Sequence, residues 1–147
     1  MLGILYVVAT PIGNLDDLSP RALSTLTQVD AIICEDTRVS KKLFFVFDIQ
    51  NKLLIAYHHH SDPFVIRRIG DLLRSGKSCA LLTDAGTPGI SDPGGRLIAA
   101  LVAALGVEFI TVPIPGPSAV TAILSVSGLP ADSFLFLGFP PHKKGRT

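Results

Sequence analysis

Only two cysteines occur in the 147-residue chain, its formal net charge is +1, and no apolar run is clean enough to cross a membrane. Each shortage removes a class of reading. Cys34 and Cys79 sit in short apolar runs with no metal or redox spacing, which predicts reduced core residues in a cytoplasmic protein. A net charge this small lacks the footprint of an autonomous nucleic-acid binder, so a polynucleotide would have to be held by local patches. Met1-Leu2-Gly3-Ile4-Leu5-Tyr6 has neither the basic region nor the apolar stretch of a signal peptide, and no export is expected. Residues 97–114 are broken by Gly106, Glu108 and Pro113, which reads as a buried helix followed by a strand, with no membrane partner.

Two common nucleotide signatures are also missing. No G-x-G-x-x-G follows the first apolar run, so a Rossmann dinucleotide site is unsupported. Gly76-Lys77-Ser78 has Asp71 where a P-loop needs its first glycine, and it precedes a strand pattern instead of opening a helix. Kinase and NTPase chemistry are disfavoured.

What is present is a hydrophobic content of 48%, enough for one domain with a sizeable core. Short apolar runs recur at 4–9, 31–34, 53–57, 79–82, 109–112 and 134–137. Between them lie helical patterns. Ser19 caps a helix over 20–29 with Pro20 at its first position, and Ala22, Leu23, Leu26 and Val29 share one face. Asp62-Pro63 opens a second that closes near Ser75-Gly76, and Asp92-Pro93 a third that stops at Gly106. Strands apolar on both faces and separated by crossover-length helices predict an open parallel sheet with helices on both faces.

In such a sheet, ligands sit at the carboxyl ends of the strands. The loops there begin Thr10-Pro11-Ile12-Gly13, Glu35-Asp36-Thr37-Arg38, His58-His59-His60-Ser61-Asp62, Thr83-Asp84-Ala85-Gly86-Thr87-Pro88 and Pro113-Ile114-Pro115-Gly116-Pro117-Ser118. Glycine and proline bring main-chain groups close to a ligand, which suits a flat adenine and an amino-acid tail. Each loop taken alone is also ordinary turn chemistry. Adjacent histidines at a strand end point alternately, so the His58-His59-His60 tract is not expected to hold a metal.

Three of these loops, read with their strands, carry a resemblance. Leu5-Tyr6-Val7-Val8-Ala9-Thr10-Pro11-Ile12-Gly13-Asn14-Leu15, Glu35-Asp36-Thr37-Arg38 and Leu82-Thr83-Asp84-Ala85-Gly86-Thr87-Pro88-Gly89-Ile90-Ser91-Asp92-Pro93-Gly94 closely resemble the ribosomal RNA small subunit methyltransferase I branch of the tetrapyrrole methylases, the class III methyltransferases. Pro115-Gly116-Pro117-Ser118-Ala119, Ser127-Gly128-Leu129-Pro130 and Gly138-Phe139-Pro140-Pro141-His142-Lys143-Lys144 continue the resemblance in order across the chain. One departure is Ser61 and Asp62, where that family usually has Asn and Glu.

The resemblance implies a five-stranded parallel N-terminal domain over 1–132, with 133–147 as linker and start of a C-terminal domain that the chain lacks. It implies S-adenosylmethionine as methyl donor, a homodimer when full length, and 2'-O-methylation of a cytidine ribose in the 16S rRNA of the small ribosomal subunit. Within that reading, Thr10, Pro11, Ile12, Asp84, Ala85, Gly86, Pro88, Pro115, Gly116, Pro117 and Ser118 are the donor-binding candidates. Asp36, Glu35 and His60 are candidates for the base that assists proton loss from the hydroxyl. Arg38, Lys143 and Lys144 would contact RNA. Glu35 and Asp36 could equally cap the helix after the second strand, with Arg38 pairing to them. A methylase of a small tetrapyrrole or corrin precursor, and a non-catalytic donor-binding domain, remain the alternatives.

Overall fold

A computed structural model describes residues 1–140. Strands β1 (Ile4–Val8), β2 (Ala31–Cys34), β3 (Leu53–Ala56), β4 (Cys79–Leu81) and β5 (Ile110–Ile114) form one five-stranded sheet in the order β3-β2-β4-β1-β5. Every pairing is parallel. The helices are α1 (Pro20–Gln28), α2 (Thr37–Val46), α3 (Pro63–Arg74), α4 (Gly94–Leu105) and α5 (Ala119–Val126).

Alternation along the central strands builds two cores. Ile32 and Cys34 of β2 and Ala80 of β4 join Ala22 and Leu26 of α1 and Phe44 of α2. The intervening Ala31, Ile33, Cys79 and Leu81 join Ile69 and Leu73 of α3 and Leu97 and Leu101 of α4. Both faces are therefore covered, as the unbroken apolar runs require. Each fully buried leucine or isoleucine contributes about 1.5–3 kcal/mol relative to exposure.

Two of the three helix starts read from the sequence carry their caps, whereas α4 begins at Gly94, after Pro93, with no side-chain cap bond. Ser19 Oγ accepts from Ala22 N at 3.1 Å and Asp62 Oδ1 from Phe64 N at 2.7 Å, each ahead of a proline at the first helical position. Gly76 and Gly106 take positive φ, 82° and 73°, where α3 and α4 end. The apolar run 134–137 is not a strand. Phe134, Leu135, Phe136 and Leu137 are all exposed, and a strand needs a hydrogen-bonding neighbour that no described residue supplies.

Topology positions the site. The chain moves from β1 toward the β3 edge through α1 and α2, then back toward β5 through α3 and α4. Right-handed crossovers running in opposite directions lie on opposite faces, as the two cores show. Neighbouring β1 and β4 therefore send their loops to opposite sides, and a crevice opens between their carboxyl ends.

Candidate functional site

The crevice is closed at its base by the backbone. Thr10, just past β1, pairs with Gly86 of the β4 loop in an antiparallel bridge, with N–H···O distances of 2.9 and 3.1 Å. Thr10 Oγ1 also donates to Thr83 O at 3.3 Å. Gly86 has φ of +84°, a conformation that disfavours any side chain there. The β5 loop joins through Thr87 Oγ1, which donates to Pro117 O at 3.2 Å. It also packs Gly116 so closely on Ala9 that a Cβ would lie 2.9 Å from the Ala9 Cβ. Three strand ends are thus tied into one platform.

A hub stiffens the β4 loop. The Asp92 carboxylate accepts from Gly89 N at 2.8 and 2.9 Å and from Gly94 N at 2.6 Å, spanning the turn that enters α4. Ser91 beside it is held at φ +60°, unusual for a residue with a side chain.

Two cavities flank the Thr10–Gly86 bridge. The first, about 340 Å³, is bounded by Ile12, Gly86, Ser91, Ser118, Phe136 and Gly138, with Ala85 also on its wall. Ser118 stands at the N-cap of α5, yet its hydroxyl makes no capping bond, unlike those of the α1, α2 and α3 caps. The second cavity, about 200 Å³, lies against α2 and is lined by Thr10, Pro11, Ser40, Lys42, Thr83 and Asp84. The donor-binding candidates are therefore divided between two cavities that meet at Pro11-Ile12 and Asp84-Ala85. Gly116 and Pro117 edge a shallower groove shared with Ile12 and Ser118. Pro88 is buried within its loop and Pro115 is exposed. Neither touches the two main cavities.

Sequence reasoning missed Ser91, Phe136 and Gly138 on the first wall, and the α2 side chains on the second. Gly138-Phe139 was visible as a motif. The inner face of α2, by contrast, reads as an ordinary amphipathic pattern.

Carboxylates ring the same edge. Asp36 caps α2 by accepting from Arg38 N at 2.8 Å, and the Arg38 side chain closes on it with an Nη2–Oδ2 distance of 2.6 Å. These bonds hold the Asp36 carboxyl down at about 2 and raise Arg38. Asp84 Oδ1 accepts from Asp36 N at 3.3 Å. Glu35 moves the other way: burial first, then the nearby charges of Asp84 and Asp92, raise its carboxyl above the ordinary range, partly opposed by His59 and His58. Glu35 faces a narrow cleft with Tyr57, Thr83 and Asp92. His60 is exposed, and its backbone N–H donates to His58 Nδ1 at 3.2 Å. Among the described residues, no three His, Cys, Asp or Glu side chains converge as a metal site would need. Lys143 and Lys144 lie outside the described residues.

The family model described as Tetrapyrrole (Corrin/Porphyrin) Methylases matches residues 4–145. The chain belongs to the tetrapyrrole methylase family. Among curated members, it is 48% identical over 142 residues to a Ribosomal RNA small subunit methyltransferase I of Halalkalibacterium halodurans, covering 97% of this chain and 48% of that protein. The chain spans about half the length of the curated relatives it matches. Among solved tetrapyrrole methylase folds, it superposes on uroporphyrin-III-C-methyltransferase from Thermus thermophilus with a TM-score of 0.64 at 24% identity, over 88% of this chain and 55% of that one. A Thermus thermophilus uroporphyrin-III C-methyl transferase complexed with S-adenyl homocysteine matches at 0.59 and 19% identity, over 90% and 54%. The five-stranded parallel sheet is thus the family's fold.

Proposed function

We propose that this chain forms one wall of an S-adenosylmethionine site in a methyltransferase acting on the 2'-oxygen of a cytidine ribose in 16S rRNA. The observation that carries the donor assignment is the platform of three tied strand ends beneath the cavity of about 340 Å³. The cavity fits such a donor. Ile12, Ile90, Phe136 and Phe139 offer apolar surface to a flat adenine, and the Ser118 hydroxyl is not engaged in capping. A Cβ at Gly86 would project to within 3.6 Å of Ile12 Cγ2 and 3.9 Å of Pro117 O, into the seam where the loops meet. The substrate assignment is supported by the 48% identity, over 97% of the chain, to a relative named for small-subunit ribosomal RNA. The exposed apolar residues at 134–137 support a second domain beginning near residue 133, and we place the whole protein in the cytoplasm as a homodimer. Among the described residues, no helix is long and apolar enough to cross a membrane.

Bound S-adenosylmethionine supplies an electrophilic methyl group on a sulfonium. The residues of this chain hold and orient it, main-chain groups of the Ala85-Gly86 and Ser118 segments doing most of the binding. Asp84, exposed between the two cavities, places negative charge beside the donor. A ribose hydroxyl needs help to lose its proton, and a base serves best when its pKa lies near the working pH. Asp36, ion-paired and held at about 2, is a weak acceptor. Glu35, raised by burial and by Asp84 and Asp92, meets the requirement better than Asp36.

The test is mass mapping of ribose methylation on small-subunit rRNA from a deletion strain, with and without the full-length gene restored. Loss of one cytidine 2'-O-methyl mark and its return on complementation is expected. An unchanged set of marks sinks the rRNA reading and favours a small tetrapyrrole acceptor.

A further inference from the structure

Helix α2 has two faces, and its inner one covers the cavity of about 200 Å³. Ser40 and Phe44 are buried. Arg38, Lys41, Lys42 and Phe45, spaced at i, i+3, i+4 and i+7, form a single stripe on the opposite side. All four are exposed, the Arg38 side chain by 84% and Phe45 by 88%. Asp36 compensates Arg38, but no acidic residue lies within α2, and among the described residues neither lysine has an ion-pair partner. On a chain of net charge +1, this is a concentrated basic strip ending in an unpacked aromatic ring. Single-stranded nucleic acid is held by that combination, phosphates on cations and a base on an aromatic face.

A second observation lies beneath the same helix. Lys42 belongs both to the stripe and to the rim of the cavity of about 200 Å³. That cavity is separated from the proposed donor cavity only by the Thr10–Gly86 bridge.

We infer that α2 is the docking helix for single-stranded RNA: Lys41 and Lys42 take backbone phosphates, Phe45 stacks a base, and a neighbouring nucleoside enters the cavity under the helix. The inference rests on the proposed methyl transfer to rRNA and names the surface that would deliver the acceptor. Arg38 remains tied to Asp36 and orients the start of the helix.

The test is fluorescence anisotropy of an unstructured pyrimidine-rich RNA dodecamer with the full-length protein across a salt series. Lys41→Gln combined with Lys42→Gln lowers the slope of log affinity against log salt by about 1.4, at roughly 0.7 per lost phosphate contact. Phe45→Ala weakens binding about tenfold, as expected for one lost stack, and leaves that slope unchanged. S-adenosylmethionine affinity, measured calorimetrically, stays at the parent value in both variants and verifies their folding. Unchanged RNA affinity and salt slope in both variants overturn the inference, as does a change confined to the oligomeric state in sedimentation, which would make the stripe a protein contact. Failure here leaves the methylation map intact, whereas failure of the rRNA reading appears in that map whatever α2 does.

Discussion

Asp92 and Gly94 show how single residues set the shape of the β4 loop. The Asp92 carboxylate takes two backbone N–H groups, and Gly94 permits it: a Cβ there would fall 2.8 Å from Asp92 Oδ1, 3.0 Å from Gly89 N and 3.3 Å from Leu81 Cδ2. Hydrogen bonds to a charged group contribute about 1.5–3 kcal/mol each, and partial solvent compensation brings Asp92→Ala to about 2 kcal/mol of lost stability in urea titration. Gly94→Ala should cost about 1–3 kcal/mol through overpacking and should also weaken donor binding. The neighbouring carboxyls respond oppositely to pH. Asp36, lowered to about 2 in the fold, adds stability that is present above the ordinary carboxylate range and is lost as pH falls through about 2. In thermal melts, Asp36→Asn should therefore lie below the parent near neutrality and converge with it in strong acid. Glu35 is raised, so its effect on stability favours low pH and disappears as pH rises through its folded value. As the proposed proton acceptor it must be ionised, so single-turnover methylation should climb with pH through that same raised value. Glu35→Gln should abolish this limb and slow the reaction about 10²–10⁴-fold. A retained limb in Glu35→Gln assigns the base elsewhere.

At the scale of elements, the sequence was readable where local chemistry decides. Ser19-Pro20 and Asp62-Pro63 place their helix starts correctly because the cap and the proline act within one turn. The central strands were readable because burial on both faces leaves no polar residue in β2 or β4. The run 134–137 is equally apolar but has no hydrogen-bonding neighbour among the described residues, and composition cannot supply one. The cavity under α2 was invisible for a related reason: Val39, Leu43 and Val46 look like any helix side chains until the β1 and β4 loops are brought beside them. The Thr10–Gly86 bridge that separates the two cavities joins residues far apart in sequence. It depends on positive φ at Gly86. Gly86→Ala should destabilise the protein by about 1–2 kcal/mol, the cost of a side chain in a left-handed conformation, and should weaken S-adenosylmethionine binding measured by calorimetry. Loss of stability with unchanged donor affinity would separate the bridge from the site.

For the whole molecule, the fold places the candidate ligand edge beside an exposed apolar flank. Ile123 and Val126 of α5, Leu129, Phe134 to Leu137 and Phe139 present exposed hydrophobic side chains, and Phe136 and Phe139 line the first cavity. The chain spans about half the length of the curated relatives it matches. The substrate was the least legible feature: a net charge of +1 conceals the α2 stripe because Asp and Glu elsewhere balance it. The family motifs carried the rRNA expectation, while the physical reading alone reached only a turn-rich ligand edge. The central claim is that the β4 and β5 loops bind the methyl donor. It is tested most directly by amide hydrogen exchange of the full-length protein with and without S-adenosylmethionine. Slower exchange in peptides covering 84–91 and 116–120, with none at 47–54 on the far side of α2, is the predicted result. Unchanged exchange in both loop peptides at saturating donor would contradict it.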